Sequence, residues 1–425
     1  MVKKIIQAVQ KYAKPFQNSE DLTPLIDQIG DAKIVLLGES SHGTSEFYSV
    51  RSELSKRLIM EKGFSVIAVE GDWPSCQHVN RYIKNYSNAS STHEVLKEFK
   101  RWPTWMWANE EIAELIDWLR DYNNESDLTQ KIGFYGIDVY SLWESLDEIM
   151  NYLEKTEPKG SNIELARKAI ACFEPFNRQE DQYAISSSFF SEGCVEEVSK
   201  LLASIRSEQK NFQVQQESDL NIKVNAIVAR NAENYYRAMV KSDSESWNIR
   251  DRHMVEALNE IRSYYGDDSK VIVWEHNTHV GDASATDMKQ EGMINVGQLV
   301  REQNKAEDVY IIGFGTHSGT VTAADEWGVN LEQMLIPPAQ RGSWEDIMHR
   351  AGAFNQFLIF NEENKRIFSE LIGHRAIGVV YNPAYESYGN YVPSVMSNRY
   401  DAFIYIDKTN GLHPLQLSET SIIKQ

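Results

Sequence analysis

Five short apolar runs punctuate this chain, and each gives way to ionisable or polar residues at its C-terminal end. Ile34–Leu37 leads through Gly38 to Glu39 and His42. Ser65–Val69 ends on Glu70, Gly71 and Asp72, and Ile132–Ile137 on Asp138. Val271–Trp274 is followed by Glu275, His276, Asn277 and His279, and Val309–Phe314 by Gly315, Thr316 and His317. Runs this short, rich in β-branched and aromatic residues, are the pattern of strands buried on both faces, as in a parallel sheet. Ligands of open α/β sheets bind beyond the carboxyl ends of the strands. The repeated direction therefore predicts one sheet edge that gathers Glu39, His42, Glu70, Asp138, His276, His279 and His317.

Helical periodicity fills the gaps. Ile5, Ile6, Val9 and Tyr12 share one face of a helix starting near Lys4. A second helix is expected over Ser45–Glu61 with Ser45 as its N-cap, and a third over Asn109–Tyr122 with Ile112, Leu115, Ile116 and Leu119 on one side. From about Leu142 to Tyr265 no run reads as a strand. The segment is helical in period and rich in Glu, Lys, Gln and Ser, with breaks expected at Pro175 and at Ser186–Ser188. Its last helices are expected over Val224–Lys241 and Asn248–Ser263. The α/β pattern resumes at Val271, with later apolar runs at Ala376–Tyr381 and Ala402–Ile406. The expected fold class is α/β: a mainly parallel sheet flanked by helices, carrying an inserted all-α subdomain. Residues 1–141 form the first part of the core, 142–265 the helical insert and 266–425 the second part.

Composition narrows the function. The chain has 425 residues, is 42% hydrophobic, and carries a formal net charge of −19. Phosphate backbones require a basic surface, so nucleic acid is not an expected partner. No apolar run approaches the roughly 20 residues that span a bilayer, so a membrane is not expected either. The start, MVKKIIQAVQKYAKPF, lacks the apolar core of a signal peptide. Three cysteines, Cys76, Cys172 and Cys194, form no C-x-x-C pair and read as buried thiols of a reducing cytoplasm.

The candidate chemistry is a histidine–carboxylate set without a nucleophile. No G-x-S-x-G elbow, H-E-x-x-H or Walker lysine loop is present, and GFGTHSG at Gly313–Gly319 departs from a dinucleotide fingerprint by one position. Histidine acts as a general base near neutral pH. His42 is the leading candidate, with Glu39 and Glu70 orienting it or the water. An arginine or a second histidine would stabilise the developing oxyanion. Blander readings stand beside these. Arg51 fits a surface pair with Glu46 or Glu53, Asp138 a helix cap, and one of His276 and His279 a supporting role. Trp102, Trp105 and Trp107 divide between core and pocket wall. His78, His93, His253, His349 and His374 are read as structural.

These segments resemble the erythromycin esterase family. GESSHGTSEFYSVR, VIAVEGDWP, RWPTWMWANEEI, RDRHM, WEHNTHV, GFGTHSGTVTAA and YDAFIYID are similar to family blocks and fall in the family's order. The strand ends also resemble the wider group that includes haem-binding ChaN-like proteins and TraB-like metalloproteases. The resemblance implies an α/β core with a helical subdomain and a cleft between them. It implies hydrolysis of a macrolide lactone by water without a covalent enzyme intermediate. The leading expectation is a hydrolase of an ester or lactone bond that uses neither cofactor nor metal. The family's base falls on His42, its acidic residues on Glu39 and Glu70, its arginine on Arg51, and the histidine of its H-N-x-H segment on His276 or His279. Ser40–Ser41, Glu275 and the YESYGNY loop depart from the family pattern. Members also carry the label succinoglycan biosynthesis protein. Two rival functions follow: a hydrolase using Zn²⁺ or Mn²⁺ held by His42, a glutamate and a loop histidine, and a non-catalytic accessory protein of surface-polysaccharide synthesis.

Overall fold

The computed structural model describes residues 2–126, 130–190, 193–209 and 216–415. Its first stretch alternates helices and strands: α1 (Val2–Tyr12), β1 (Lys14–Pro15), α2 (Thr23–Ile29), β2 (Ile34–Leu37), α3 (Ser45–Lys62), β3 (Val66–Asp72), α4 (Trp73–Ile83), α5 (Thr92–Leu96), α6 (Glu110–Glu125) and β4 (Gly133–Asp138). Then come helices alone: α7 (Leu142–Thr156), α8 (Ser161–Phe173), α9 (Glu180–Phe190), α10 (Val195–Gln209), α11 (Glu217–Met239) and α12 (Asp243–Tyr265). The last stretch holds β5 (Val271–Trp274), α13 (Asn277–Val280), α14 (Val296–Gln303), β6 (Val309–Ala323), β7 (Glu332–Ile336), α15 (Trp344–Ala351), β8 (Gln356–Ile359), β9 (Leu371–Arg375), β10 (Tyr391–Val395) and β11 (Ala402–Thr409).

Nine strands form one sheet in the order β1-β8-β11-β6-β2-β5-β3-β4, with β7 paired to the outer half of β6. From β11 to β4 every pairing is parallel; β1–β8, β8–β11 and β6–β7 are antiparallel. Apolar side chains on the two faces of this sheet feed separate cores. Val35, Leu37, Ile67 and Val69 pack toward α3 and α6, while Ile34, Leu36, Val66 and Ala68 pack toward α1 and α12. That double burial is why these strands are unbroken apolar runs. The helices from α7 to α11 gather a third core, which includes Leu146, Ile163, Leu201 and Ile227.

Register decides where the chemistry goes. Leu37 and Val69 both pair with Trp274, and Leu37 also with Ile312. Glu39 and Glu275 therefore follow β2 and β5 at one edge, and Glu70 lies beside them in the last residues of β3, which does not stop at Val69 but runs on to Asp72 through a register shift.

Several expectations are corrected. β6 does not end at Phe314 but runs on to Ala323, because β7 and β11 pair with its second half. His317 is carried along this extension, half-exposed and stacked on His349 at 3.7 Å, away from the other histidines. Ala376–Tyr381 is no strand; it touches the rim through isolated bridges, Ile377 to Ser41 and Val380 to Ala324. Thr44, not Ser45, is the N-cap of α3, and no side chain caps it. Ser186–Ser188 lies within α9, whereas Pro175 does mark the end of α8. Cys172 and Cys194 are not thiols but a disulfide joining α8 to the residue preceding α10, leaving Cys76 as the buried thiol.

Candidate active site

The loop between β2 and α3 is clamped on both sides. A Cβ on Gly38 would sit 2.1 Å from Asn277 Oδ1, and one on Gly43 would sit 1.7 Å from the Thr322 carbonyl oxygen. Without side chains the backbone closes in, and the Gly43 carbonyl accepts from the Thr322 and Leu412 amides at 2.9 and 3.0 Å. Ser40 O accepts from Ile377 N at 2.8 Å. On this fixed loop Glu39 and His42 meet, with His42 Nδ1 donating to Glu39 Oε1 at 2.9 Å. The second carboxylate oxygen of Glu39 is held by Arg51 Nη2 from α3. Arg51 is fully buried, its guanidinium 4.5 Å from the Tyr48 ring centre and 4.6 Å from that of Trp274. It makes no surface pair with Glu46 or Glu53. It reaches Glu39 from behind and does not line the cavity.

With Nδ1 committed to Glu39, the free lone pair of a neutral His42 is on Nε2, which lies 3.9 Å from Glu70 Oε1. Burial opposes protonation of His42, but the charges of Glu70 and Glu39 and the Glu39 hydrogen bond outweigh it, so the pKa is raised above 6.5.

Glu70 is gripped from several sides. Oε2 accepts from the His276 amide at 2.8 Å and Oε1 from Arg250 Nη2 at 2.7 Å, while the backbone carbonyl accepts from Trp107 Nε1 at 2.9 Å. Burial works against its ionisation. The interactions with His279, His42 and Arg250, and the His276 amide, overcome that and hold its pKa below the usual carboxylate range. Arg250, from α12, also donates through Nε and Nη2 to the two oxygens of Asp138, at 2.9 and 2.7 Å, and lies over Tyr140. Asp138 is thus the partner of an arginine rather than a helix cap. His279 Nδ1 donates to Asp251 at 3.0 Å, which fixes Nε2 as acceptor for Arg250 Nη1 at 3.1 Å. Its ring stacks on Trp247 at 4.5 Å. His276 packs its ring 4.8 Å from His42, and its Nδ1 accepts from the Thr278 amide. Burial and the neighbouring His42 push its pKa well below 6.5, so it stays neutral. Glu275, behind it, is buried with no hydrogen-bond partner for either oxygen. Burial, with Glu70 and Asp251 nearby, pushes its pKa well above the usual carboxylate range.

His42, Glu70, Asp138 and Arg250 line one side of a cavity of ≈ 130 Å³. Phe99, Trp102, Met106, Trp107, Trp327 and Val379 make the rest largely apolar. Trp102 and Trp327 meet at 4.4 Å, and Trp327 is 65% exposed. Trp105 is core and Trp107 does both, so the tryptophan cluster divides as its mixed reading predicts. Asp72 also faces the cavity, 3.3 Å from Arg101 Nε. Burial, against the pull of Arg101, brings its pKa up to about 7.

The structure brings together Glu39, His42, Arg51, Glu70, His276, His279 and Asp138, and leaves out His317. Arg250 and Asp251 carry no sequence signal beyond their place in RDRHM, and Asp72 none beyond closing the run that ends in Glu70. His253 is structural, bridging Asn231 and the Asp138 carbonyl. Among the described residues no group of three His, Cys, Asp or Glu side chains is arranged to hold a metal ion. The guanidinium of Arg250 sits between Glu70, Asp138 and His279, where a cation would have to lie.

The site and the sheet together define an α/β protein with a histidine–carboxylate cleft at the strand C-termini. Residues 59–409 match the family model for erythromycin esterase, and the chain belongs to that family. It is 24% identical over 386 residues to erythromycin esterase type II of Escherichia coli, covering 82% of this chain and 86% of that one. It is 21% identical over 431 residues to the putative hydrolase YbfO of Bacillus subtilis strain 168, covering 94% and 90%. Among solved structures, a Bacillus cereus protein superposes with a TM-score of 0.81 at 20% identity, covering 98% of this chain and 100% of that one. A mutant of erythromycin esterase EreC in its open conformation gives 0.68 at 15% identity, covering 93% and 95%. A succinoglycan biosynthesis protein gives 0.78 at 20%, covering 98% and 99%. Family membership supports a hydrolase. No helix among the described residues is long and apolar enough to cross a membrane.

Proposed function

We propose that this chain hydrolyses a macrolide-type ester or lactone that presents an apolar face to the cleft, with His42 as the general base. The observation that carries the reading is the placement of the His42 ring: Nδ1 lies 2.9 Å from Glu39 Oε1, and the residue lines a cavity. A water O–H proton passes to Nε2 as the oxygen attacks the ester carbon. The carbonyl oxygen becomes an oxyanion, the C–O bond breaks, and the departing alkoxide takes the proton back from Nε2, giving an acid and an alcohol. Glu39, backed by Arg51, holds the ring and stabilises the imidazolium, as does Glu70. Arg250 is flanked by Glu70 and Asp138, so it offers the oxyanion a directed N–H rather than a net charge. His276 and His279 position Glu70 and Arg250. Detection of a water-added product from 14- and 16-membered macrolides and aryl esters, by mass spectrometry with and without EDTA, tests the reading. Product from wild type that EDTA does not suppress supports it. Loss of activity on chelation favours the metal-dependent alternative, and ligand binding without turnover favours the accessory role.

The pH profile is a second prediction. The base must be neutral, so kcat/KM rises with pH along a limb whose apparent pKa exceeds 6.5. Glu39→Gln removes a group that raises this pKa, and the limb moves to lower pH. Asp72 also titrates near the cavity, at about 7. The limb persists in Asp72→Asn if His42 is its source; its disappearance there would reassign the base.

The aromatic wall gives a third. Trp327→Ala removes an exposed indole from the cavity mouth, so KM rises for macrolides while a small aryl ester is turned over as before. Covering about 40 Å² of aliphatic substrate surface with the indole is worth about 1 kcal/mol, a several-fold change in KM. An equal change for both substrates would place the indole outside substrate recognition.

A further inference from the structure

A larger cavity, ≈ 340 Å³, lies in the groove between α11 and α12, and none of its lining residues lines the hydrolytic cleft. The α12 residues on it, Glu245, Ile249, Arg252, His253 and Glu256, recur at helical spacing on one face, while Trp247, Arg250 and Asp251 of the same helix serve the cleft from another. Its lining is basic although the chain as a whole carries a net charge of −19. Arg230, Arg237, Lys241 and Arg252 face it against two carboxylates, Glu245 and Glu256.

Those carboxylates neutralise only part of the wall, Arg230 through Glu256. Glu256 is held by Arg206 at 2.9 Å and by Arg230 at 2.7 Å. The nearest carboxylate to Arg237 is Glu233, at 3.7 Å. Lys241 and Arg252 make no ion pair within 4.0 Å among the described residues and are exposed toward the groove. With 62 acidic residues against 43 basic ones, carboxylates to pair with them are not scarce in this chain. The floor is formed: the Asn231 amide donates to His253 Nδ1 at 3.0 Å and to Glu256 at 2.9 Å, and Ile249 and Ala238 add an apolar surface. The volume lies in the range of small-molecule sites.

We infer that this groove is a second binding site, for a small organic polyanion bearing phosphate or carboxylate groups, gripped by Arg237, Lys241 and Arg252. The inference does not depend on the hydrolytic reading, because no residue is shared between the two cavities.

The test is isothermal titration of the full chain with phenyl phosphate, inorganic phosphate and citrate, at ionic strength matched with NaCl. The phosphate and citrate arms distinguish the two anion types. Wild type, the double variant Lys241→Glu/Arg252→Glu and His42→Ala run in parallel. Both reversed positions are exposed, and thermal melting checks that the variant is folded. The expected result is saturable binding of at least one probe with Kd below about 1 mM, weakened at least about tenfold in the double variant and unchanged in His42→Ala. No saturable binding of any probe up to about 10 mM overturns the inference. So does binding that survives the charge reversals, and so does binding lost in His42→Ala, which would assign it to the hydrolytic cleft.

Discussion

Alanine at position 42 is expected to lower kcat/KM for any accepted ester by about 10²- to 10⁴-fold, the usual contribution of a positioned general base. The fold should survive the change. His42 is only one of two groups holding Glu39; when the imidazole goes, Arg51 still neutralises the carboxylate, so no uncompensated charge is created. The ring is also at the cavity wall, so water fills the space it leaves. The melting temperature is therefore expected to move little while turnover collapses, and that separation is what distinguishes a chemical role from a structural one. Turnover within a few-fold of wild type would sink the mechanism. Glu39→Gln provides the graded companion: the base remains, but the partner that fixes its tautomer and raises its pKa is weakened, so kcat falls less steeply and the pH limb moves down.

The reason these residues are visible in sequence is the geometry of parallel sheets. A strand covered on both faces must be apolar throughout, so the first ionisable residue after it marks the strand end. Glu39, Glu70 and Asp138 each follow such a run, and the register of β2, β5, β3 and β4 brings them to the same edge of the sheet. Arg250 carries no comparable signal. It lies in the first half of α12, in a stretch that also carries Asn248, Asp251 and Arg252, and its partners Glu70 and Asp138 are 180 and 112 residues away. Only packing of α12 across the sheet edge brings them together. His317 misleads for the converse reason. The glycines of GFGTHSG read as a loop, yet there β6 continues between β11 and β7, and Gly319 sits at a φ of 148° with a Cβ position 1.9 Å from the Thr409 carbonyl oxygen. Glycine marks close backbone approach inside a long strand here, not its end. The Ala376–Tyr381 run is apolar because it packs on the rim through Ile377 and Tyr381, without a ladder of its own. The Cys172–Cys194 pair, 22 residues apart, depends on how helices fold back on one another, which spacing alone does not reveal.

Arg250→Ala is expected to be the most destabilising single change in the cleft. The guanidinium is the shared partner of Glu70, Asp138 and His279, all nearly buried. Its removal strands two carboxylates in a low-dielectric site, and breaking a buried pair from one side costs about 3–5 kcal/mol. Arg250→Lys restores a charge but not the fork that reaches both carboxylates at once, so it recovers only part of the stability. The pH dependence identifies the cause. Glu70 has a folded-state pKa below its unfolded value, so it contributes stability that is present above about pH 4.5 and is lost as pH falls through the folded value. Arg250 supplies part of that depression. The stability gap between wild type and Arg250→Ala should therefore be widest at neutral pH and narrow as the medium is acidified and Glu70 becomes protonated. Denaturant unfolding at a series of pH values measures it. A gap that stays constant with pH would mean that lost packing against Tyr140, rather than unpaired charge, is what the substitution costs. Activity gives the complementary readout: Arg250→Lys, folded but lacking the directed N–H beside the cavity, should lose kcat with little change in KM, because the contact is made to charge that develops only in the transition state.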